Sequence, residues 1–283
     1  MDKQIDPAEM LESLPEGMYI PPQPVLLKEL HVEVNKVDVD IQKINNLISH
    51  DVALSAAVLK MVNSAYWGLT TKVESISHAV SLLGLEPTIN LASGFMLRQA
   101  FDNKGISFPR YWDTAAMVAE LCAIIASKLR IMDPNRPYTL GLFHDVGIPL
   151  MAQRYPDYME TLRAENVDEQ GMFTDIEDAR YQTNHAVVGC IVGHEWEIPS
   201  TIREVILNHH DIESVLEDTF NQDEEQAQLL CILKLAEMIE DTFRNGTPDT
   251  DWLRFGELIK SYLKISDDDI EKLIEEIRGR NNL

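Results

Sequence analysis

The sequence predicts an all-α fold, and two observations support that prediction. Apolar residues recur at three- and four-residue spacing in segment after segment, which is the period of one face of an α-helix. Stretches that strictly alternate apolar and polar residues, which would indicate half-buried strands, do not occur. Helices packed on helices are therefore the expected architecture.

Capping residues place the boundaries of the first helices. The apolar face of residues 41–48 follows Asp40, and that of residues 54–62 follows Asp51. Aspartate is a favoured N-cap because its side-chain oxygen accepts a hydrogen bond from a free backbone N–H of the first turn. Gly84 is placed to end a later helix, since glycine readily adopts the left-handed conformation of a helix C-terminus.

The remaining chain continues the helical pattern in two parts. A looser segment, "DNKGISFPR" at residues 102–110, marks a junction between two lobes. Further helical segments follow it, and an acidic linker, "NQDEEQ", precedes the apolar run "AQLLCILKLAEMIEDTF". The last helix opens at "SDDDIEKLIEEI", where Ser266 and Asp269 approximate a capping box.

The charge of the chain excludes several classes of partner. With 47 acidic and 24 basic residues among 283, the formal net charge is −23. Nucleic acids and anionic membranes would be repelled by such a surface, so neither is expected as a partner. The N-terminus lacks the pattern of a signal peptide, and no apolar stretch approaches the ~18 residues of a membrane span. Three scattered cysteines without a C-x-x-C motif suit a reducing compartment, and we expect a cytoplasmic protein.

Candidate metal ligands occur in a suggestive order: His144 beside Asp145, then His185, then His209 beside His210. Imidazoles with a carboxylate suit Fe, Mn, Zn or Ni, and a helical bundle can direct one ligand inward from each of several helices. Adjacent helical residues point about 100° apart, so the second member of each pair needs a helix end to reach a shared centre. His194 lies on roughly the opposite face of the helix from His185 and is expected to stay outside.

Spacing alone leaves the role of these histidines open. They could hold a metal, or they could form a buried hydrogen-bond network without one. Motifs of other reaction classes, such as G-x-x-x-x-G-K-[ST], G-x-G-x-x-G, H-E-x-x-H and G-x-S-x-G, do not occur in the sequence.

Long segments of the chain resemble the HDOD domain family, which is related to the HD superfamily of metal-dependent phosphohydrolases. The resemblance rests on "LPEGMYIPPQPVLLKEL", "LISHDVALSAAVLKMVNSAYWGL", "SISHAVSLLGLEPTINLA", "LGLFHDVGIPLM" and "NHAVVGCIVGHEWEIPSTIREVILNHHD". It covers about residues 14–211 and implies two packed helical lobes, the second similar to an HD domain. The first lobe would run to about residue 108 and the second from about 110. Residues 1–13 would be an N-terminal extension, and the helices of residues 212–283 would complete the second lobe or pack on it.

The resemblance also implies a ligand set. His144 and Asp145 match the family's dyad, His185 matches the histidine of an H-x-x-x-G segment, and His209 with His210 match a double histidine. Two ligand positions depart from the pattern of active HD enzymes. Thr114 stands where the first histidine is expected, and Glu237 stands where a late aspartate is expected. The lysine that usually follows the dyad is absent as well, because Ile148 and Pro149 occupy that place.

These departures decide the expected function. We expect a bacterial signalling or regulatory protein with a degenerate HD-type metal site, which acts by binding a signalling protein or a small ligand without turnover. The alternative is a metal-dependent phosphohydrolase that acts on a phosphomonoester or a cyclic nucleotide. In both, the candidate ligands are His144, Asp145, His185, His209, His210 and Glu237, and the candidate cofactor is a divalent metal ion.

Overall fold

The structure is a computed structural model that describes residues 14–63, 69, 71–102, 108–165, 173–218 and 224–281. Across those residues the secondary structure is helical without any strand, so the all-α prediction is confirmed. The expected N-terminal extension, residues 1–13, lies outside the described residues, as does most of the expected junction between the lobes.

The described helices run from 7 to 22 residues in length. In chain order they are α1 (Val25–Val34), α2 (Ile41–His50), α3 (Val52–Val62), α4 (Ile76–Leu83), α5 (Leu85–Asp102), α6 (Pro109–Leu129), α7 (Asn135–Phe143), α8 (Gly147–Arg154), α9 (Tyr158–Glu165), α10 (Asp175–Tyr181), α11 (His185–Glu195), α12 (Ser200–Asn208), α13 (Ile212–Asp218), α14 (Glu224–Asn245), α15 (Thr250–Leu263) and α16 (Asp267–Asn281).

The predicted caps are present at the first helices. The Asp40 carboxylate accepts a hydrogen bond from the Lys43 N–H at 3.0 Å, and Asp51 accepts one from Leu54 at 2.9 Å. Gly84 ends α4 with a φ of 92°, a conformation that glycine adopts without a steric penalty. These local signals were readable from the sequence because each involves residues only three or four positions apart.

The chain divides into two compact units. One, here called the site unit, contains Met1–Pro21 and Ile106–Lys264, and the other contains Pro22–Gly105 and Ile265–Leu283. Helices α14 and α15 therefore lie in the site unit, whereas α16 lies in the unit with α1–α5. The sequence predicts that the helices of residues 212–283 complete the second lobe or pack on it. The buried Ile270 and Ile277 belong to an apolar face of α16. Such a face shows that a helix packs against another surface, but it does not show which surface that is.

Helix α14 is the centre of the site unit. It packs against α6, α7, α12 and α15, and its apolar side chains are buried almost all round the helix. Two polar residues of this helix, Lys234 and Glu237, lie in the interior of the unit as a consequence. A second packing group joins α11 to α8 and α12.

Two smaller expectations concern thiols and membrane spans. Cys122, Cys190 and Cys231 are free and buried, as expected for small packing residues. Among the described helices, none combines the length and apolar character needed to cross a membrane.

Candidate metal centre

The two adjacent pairs of candidate ligands, His144 with Asp145 and His209 with His210, both lie at helix ends. His144 is the C-cap of α7 and Asp145 follows it, before α8 begins at Gly147. His209 is likewise the C-cap of α12, and His210 comes directly after it. A helix end frees neighbouring residues from the fixed angle between successive helical side chains. Both members of each pair can therefore turn towards one centre.

Four residues bring their donor atoms to that centre. One ligand atom from each of Asp145, His185, His209 and His210 lies within 4.8 Å of the others. Asp145 Oδ1 is 3.5 Å from His185 Nε2 and 3.4 Å from His209 Nε2. His185 Nε2 is 3.1 Å from His210 Nε2. We call these four residues the acceptor cluster.

The second ring nitrogen of each clustered histidine determines where the proton lies. His185 Nδ1 faces the Glu177 carboxylate at 3.0 Å, His209 Nδ1 faces the Ile206 carbonyl at 2.6 Å, and His210 Nδ1 faces Asp251 at 3.1 Å. All three partners are oxygen acceptors, so each Nδ1 carries the hydrogen and donates it. Each Nε2 then points towards Asp145 and the other imidazoles, where a neutral ring presents a lone pair.

Burial keeps two of these imidazoles neutral. It lowers the pKa of His209 to about 4, and burial followed by the nearby His209 lowers the pKa of His210 well below its ordinary value. Burial alone would raise the pKa of Asp145, but His144, with His209 and His185 beside it, holds it well below its usual range. The neutral His209 thus presents its Nε2 lone pair to the Asp145 carboxylate, and that nitrogen is buried without a hydrogen-bond partner.

This donor set fits a divalent metal ion. Neutral imidazole nitrogens with one carboxylate suit Mn, Fe, Zn or Ni, and the oxygen partners at Nδ1 are the outer contacts that orient metal-binding histidines. A bound cation would also give a partner to His209 Nε2, which is buried without a hydrogen bond. Asp145, His185, His209 and His210 are the residues that would hold it.

His144 and Glu237 join the cluster through the other oxygen of Asp145. His144 Nε2 lies 3.2 Å from Asp145 Oδ2 and 3.2 Å from Glu237 Oε1, while its Nδ1 faces the Gly141 carbonyl at 2.8 Å. Burial would lower the pKa of His144, but Asp145 and Glu237 raise it above its ordinary value. Glu237 therefore lies against the dyad and is not one of the four clustered ligands.

Thr114 and His194 lie elsewhere. Thr114 lines a cavity beside His144, and its hydroxyl donates to Glu240 Oε1 at 3.4 Å. His194 contacts Arg203 through Nδ1 at 3.2 Å and is not among the clustered ligands, in keeping with its expected place on the other face of α11.

Three charged residues of the site were missed by the sequence analysis. Glu177 is fully buried on α10 and binds His185, and Asp251 on α15 binds His210. Lys234 on α14 pairs with Asp251 at 2.8 Å and with Glu237 at 2.9 Å. Burial alone would lower the pKa of the Lys234 ammonium, but Asp251 and Glu237 raise it above its ordinary value. The one available signal was a lysine inside the apolar run "CILKLAEMI".

A cavity of about 750 Å³ opens beside the cluster. Its polar lining includes His144, Asp145 and His210. Its apolar lining includes Tyr111, Val118, Ile148, Met159, Leu162 and Phe173. That volume lies within the range of small-molecule sites, which spans roughly 300–1,000 Å³. The cavity thus connects the candidate metal ligands to space for a small molecule.

Comparisons with known proteins agree with this architecture. An uncharacterized protein of Treponema pallidum (strain Nichols) is 28% identical over 201 residues, which are 68% of this chain and 38% of that protein. The chain thus spans about two fifths of the length of that relative. A structure from Shewanella amazonensis SB2B, provisionally named a phosphohydrolase, superposes with a TM-score of 0.71 at 23% identity, covering 96% of this chain and 93% of the other. A provisionally named signal transduction protein of Marinobacter aquaeolei VT8 gives a TM-score of 0.70 at 19% identity, covering 99% and 64%.

The two solved structures show a common fold and nothing finer at these identities. The family model of the HDOD domain matches residues 20–212, most of the chain and all four residues of the acceptor cluster. The extent of that match agrees with the sequence segments that carried the resemblance. The chain belongs to the HDOD domain family.

Proposed function

We propose that this HDOD protein is a regulatory module that binds a divalent metal ion at the acceptor cluster and a small ligand or a partner protein in or over the adjoining cavity, without turnover. One observation carries the metal part of the proposal. Three imidazole Nε2 atoms and the Asp145 carboxylate converge with every Nδ1 proton directed outward, and a set of donors of this kind binds a divalent cation.

The charges around the cavity support binding rather than phosphate hydrolysis. Two of the three basic side chains among its described lining residues are already paired with carboxylates. Lys234 pairs with Glu237 and Asp251, and Arg244 pairs with Asp241 at 2.6 Å and with Glu240 at 3.3 Å. A phosphate would find little uncompensated positive charge there, whereas phosphoryl transfer depends on such charge.

A metal-dependent phosphohydrolase is the second candidate, because the cavity reaches the cluster. Asp145 and His210 both line it, so a ligand in the cavity could contact a bound ion. A divalent ion in that position would supply a Lewis acid and lower the pKa of a bound water. The Shewanella relative is named for such an activity, but Thr114 in place of a histidine leaves this chain with one ligand fewer than the active pattern.

Metal content tests the proposal directly. The full chain is purified without chelators, its metals are measured by elemental analysis, and its melting temperature is followed with added Mn²⁺, Fe²⁺, Zn²⁺ and Ni²⁺. We expect bound metal and a rise in melting temperature that His209→Ala abolishes and that His194→Ala, a histidine outside the cluster, preserves. Absence of both metal and stabilisation in the wild-type protein would refute the metal site.

Turnover separates the two candidate functions. The metal-loaded protein is assayed with phosphomonoesters and with cyclic mono- and dinucleotides. We expect no metal-dependent hydrolysis above the level of an Asp145→Ala variant. Hydrolysis that Asp145→Ala abolishes would establish the phosphohydrolase and replace the regulatory proposal.

A further inference from the structure

Lys234 carries a positive charge into the interior of the site unit. Its side chain is 2% exposed, and its Nζ lies 2.8 Å from Asp251 Oδ2 and 2.9 Å from Glu237 Oε2. An ammonium group is costly to bury unless charged partners surround it, so this lysine is held in place by the two carboxylates. The buried position of Lys234 therefore depends on these two carboxylates.

Both carboxylates also contact histidines of the candidate centre. Glu237 Oε1 lies 3.2 Å from His144 Nε2, and the Asp251 oxygen that pairs with Lys234 also accepts from His210 Nδ1 at 3.1 Å. Lys234 thus connects the two sides of the centre, one through His144 and the other through His210. It is the one lysine or arginine with an ion pair to either carboxylate among the described residues.

Asp145 has the geometry of a carboxylate shared between two cation positions. Its Oδ1 faces His185 and His209, while its Oδ2 faces His144. The atoms around Oδ2 are His144 Nε2 and Glu237 Oε1, so an imidazole and a carboxylate, the residue types of the acceptor cluster, lie on this side as well. In two-metal sites a pair of ions about 3.5–4 Å apart is held by such an arrangement.

We propose that the Lys234 ammonium takes the place of a second metal ion, so that this centre binds one divalent ion per chain. The inference rests on the proposed metal site and adds its stoichiometry. Lys234 is a positioning residue, because it touches the carboxylates and not the acceptor cluster itself. The first ion belongs to Asp145, His185, His209 and His210.

The ammonium of Lys234 opposes a second ion. A second divalent ion would share Glu237 with that ammonium, which already lies 2.9 Å from the other oxygen of the carboxylate. Repulsion between like charges at such distances is strong where water is excluded.

Metal stoichiometry in Lys234 variants tests the inference. Wild type, Lys234→Ala and Lys234→Gln are equilibrated with excess Mn²⁺, desalted, and measured for manganese per chain by elemental analysis and by electron paramagnetic resonance. Alanine removes the charge and opens space, whereas glutamine removes the charge but keeps donors for Glu237 and Asp251. Circular dichroism verifies folding, and the glutamine variant carries the test if the alanine variant is insoluble.

We expect one Mn²⁺ per wild-type chain, with the resonance of an isolated ion. The folded variants should approach two per chain and show the spectrum of an exchange-coupled pair. A ratio of two in the wild type, or of one in the folded variants, would overturn the assignment of Lys234 while leaving the metal site intact. A ratio of zero in the wild type would instead refute the proposed metal site, and the Lys234 assignment with it.

Discussion

Glu177 accepts two hydrogen bonds from His185, one from the backbone N–H at 2.7 Å and one from Nδ1 at 3.0 Å. The carboxylate is fully buried and also accepts a hydrogen bond from the Tyr158 hydroxyl. Burial alone would raise the pKa of Glu177, but His185 lowers it below the ordinary value, so the group is anionic. Glu177 therefore fixes the position of α11 at its first residue and directs His185 Nε2 towards Asp145.

Glu177→Gln should weaken metal binding without removing a ligand. The amide keeps the volume of the carboxylate but lacks its charge, so it holds the Nδ1 proton of His185 less firmly and makes Nε2 a poorer donor. Loss of such an outer contact typically reduces metal affinity about 10–100-fold. The affinity for Mn²⁺ is measured by competition titration. The exposed Asp175 of the same helix provides the control, and equal affinities for Glu177→Gln and Asp175→Asn would contradict the role.

The metal-free protein should lose stability in mildly acidic solution because of His209. The pKa of this residue is about 4 in the folded protein against an ordinary value of 6.5, so the unfolded chain binds more protons between these values. The contribution to stability is complete above about pH 6.5 and is lost as the pH falls towards 4. Its full size is roughly 3 kcal/mol.

Urea unfolding of chelator-treated protein between pH 7.5 and 4 measures this effect. His209→Gln cannot titrate there and should show a shallower loss of unfolding free energy than the wild type. The matched control is His194→Gln, which removes a histidine outside the acceptor cluster. An unchanged slope in His209→Gln would show that another group controls the acid response.

Gly147→Ala should disrupt the site through the backbone. An added Cβ would lie 2.1 Å from the His185 carbonyl oxygen and 2.9 Å from the Gly189 nitrogen, and neither atom can move by side-chain rotation. We expect a loss of about 3 kcal/mol or more in the free energy of unfolding, or failure to fold. In the matched variant Gly279→Ala the new methyl meets nothing within 4 Å, and stability should rise by up to about 1 kcal/mol. Equal stability of the two variants, measured by urea unfolding, would refute the close contact of α8 with α11.

Tyr111→Phe should not destabilise the protein, although Tyr111 lies in the site unit. Its hydroxyl oxygen is buried without a hydrogen-bond partner, and burial followed by the charge of Asp145 raises the pKa of the phenol well above its ordinary value. Removing an unsatisfied buried polar group costs nothing in hydrogen bonds and relieves a desolvation penalty of about 1–3 kcal/mol. A melting temperature equal to or above that of the wild type is expected. A drop of several degrees would mean that the hydroxyl has a stabilising partner.

The helical period, the capping residues and the chemistry of the side chains were sufficient to predict the fold class, several helix boundaries and the candidate ligands. The all-α class follows from apolar spacing, the starts of α2 and α3 from Asp40 and Asp51, and the end of α4 from Gly84. These features are readable because they depend on interactions between residues three or four positions apart. The resemblance then identified His144, Asp145, His185, His209 and His210 as one group. The structure brings these five residues close together.

Only the tertiary structure decided how that group is completed. Glu177 and Asp251 are common residue types in an acidic chain, and nothing local distinguishes them from a solvated face, whereas Lys234 is marked only by its place in an apolar run. They enter the site because α10, α14 and α15 pack where Glu177 meets His185 and where Asp251 meets both Lys234 and His210. Those contacts join residues 8, 17 and 41 positions apart along the chain. Sequence therefore determined which groups could bind a metal, whereas packing decided which charges surround them, because burial and distance exist only in the folded chain.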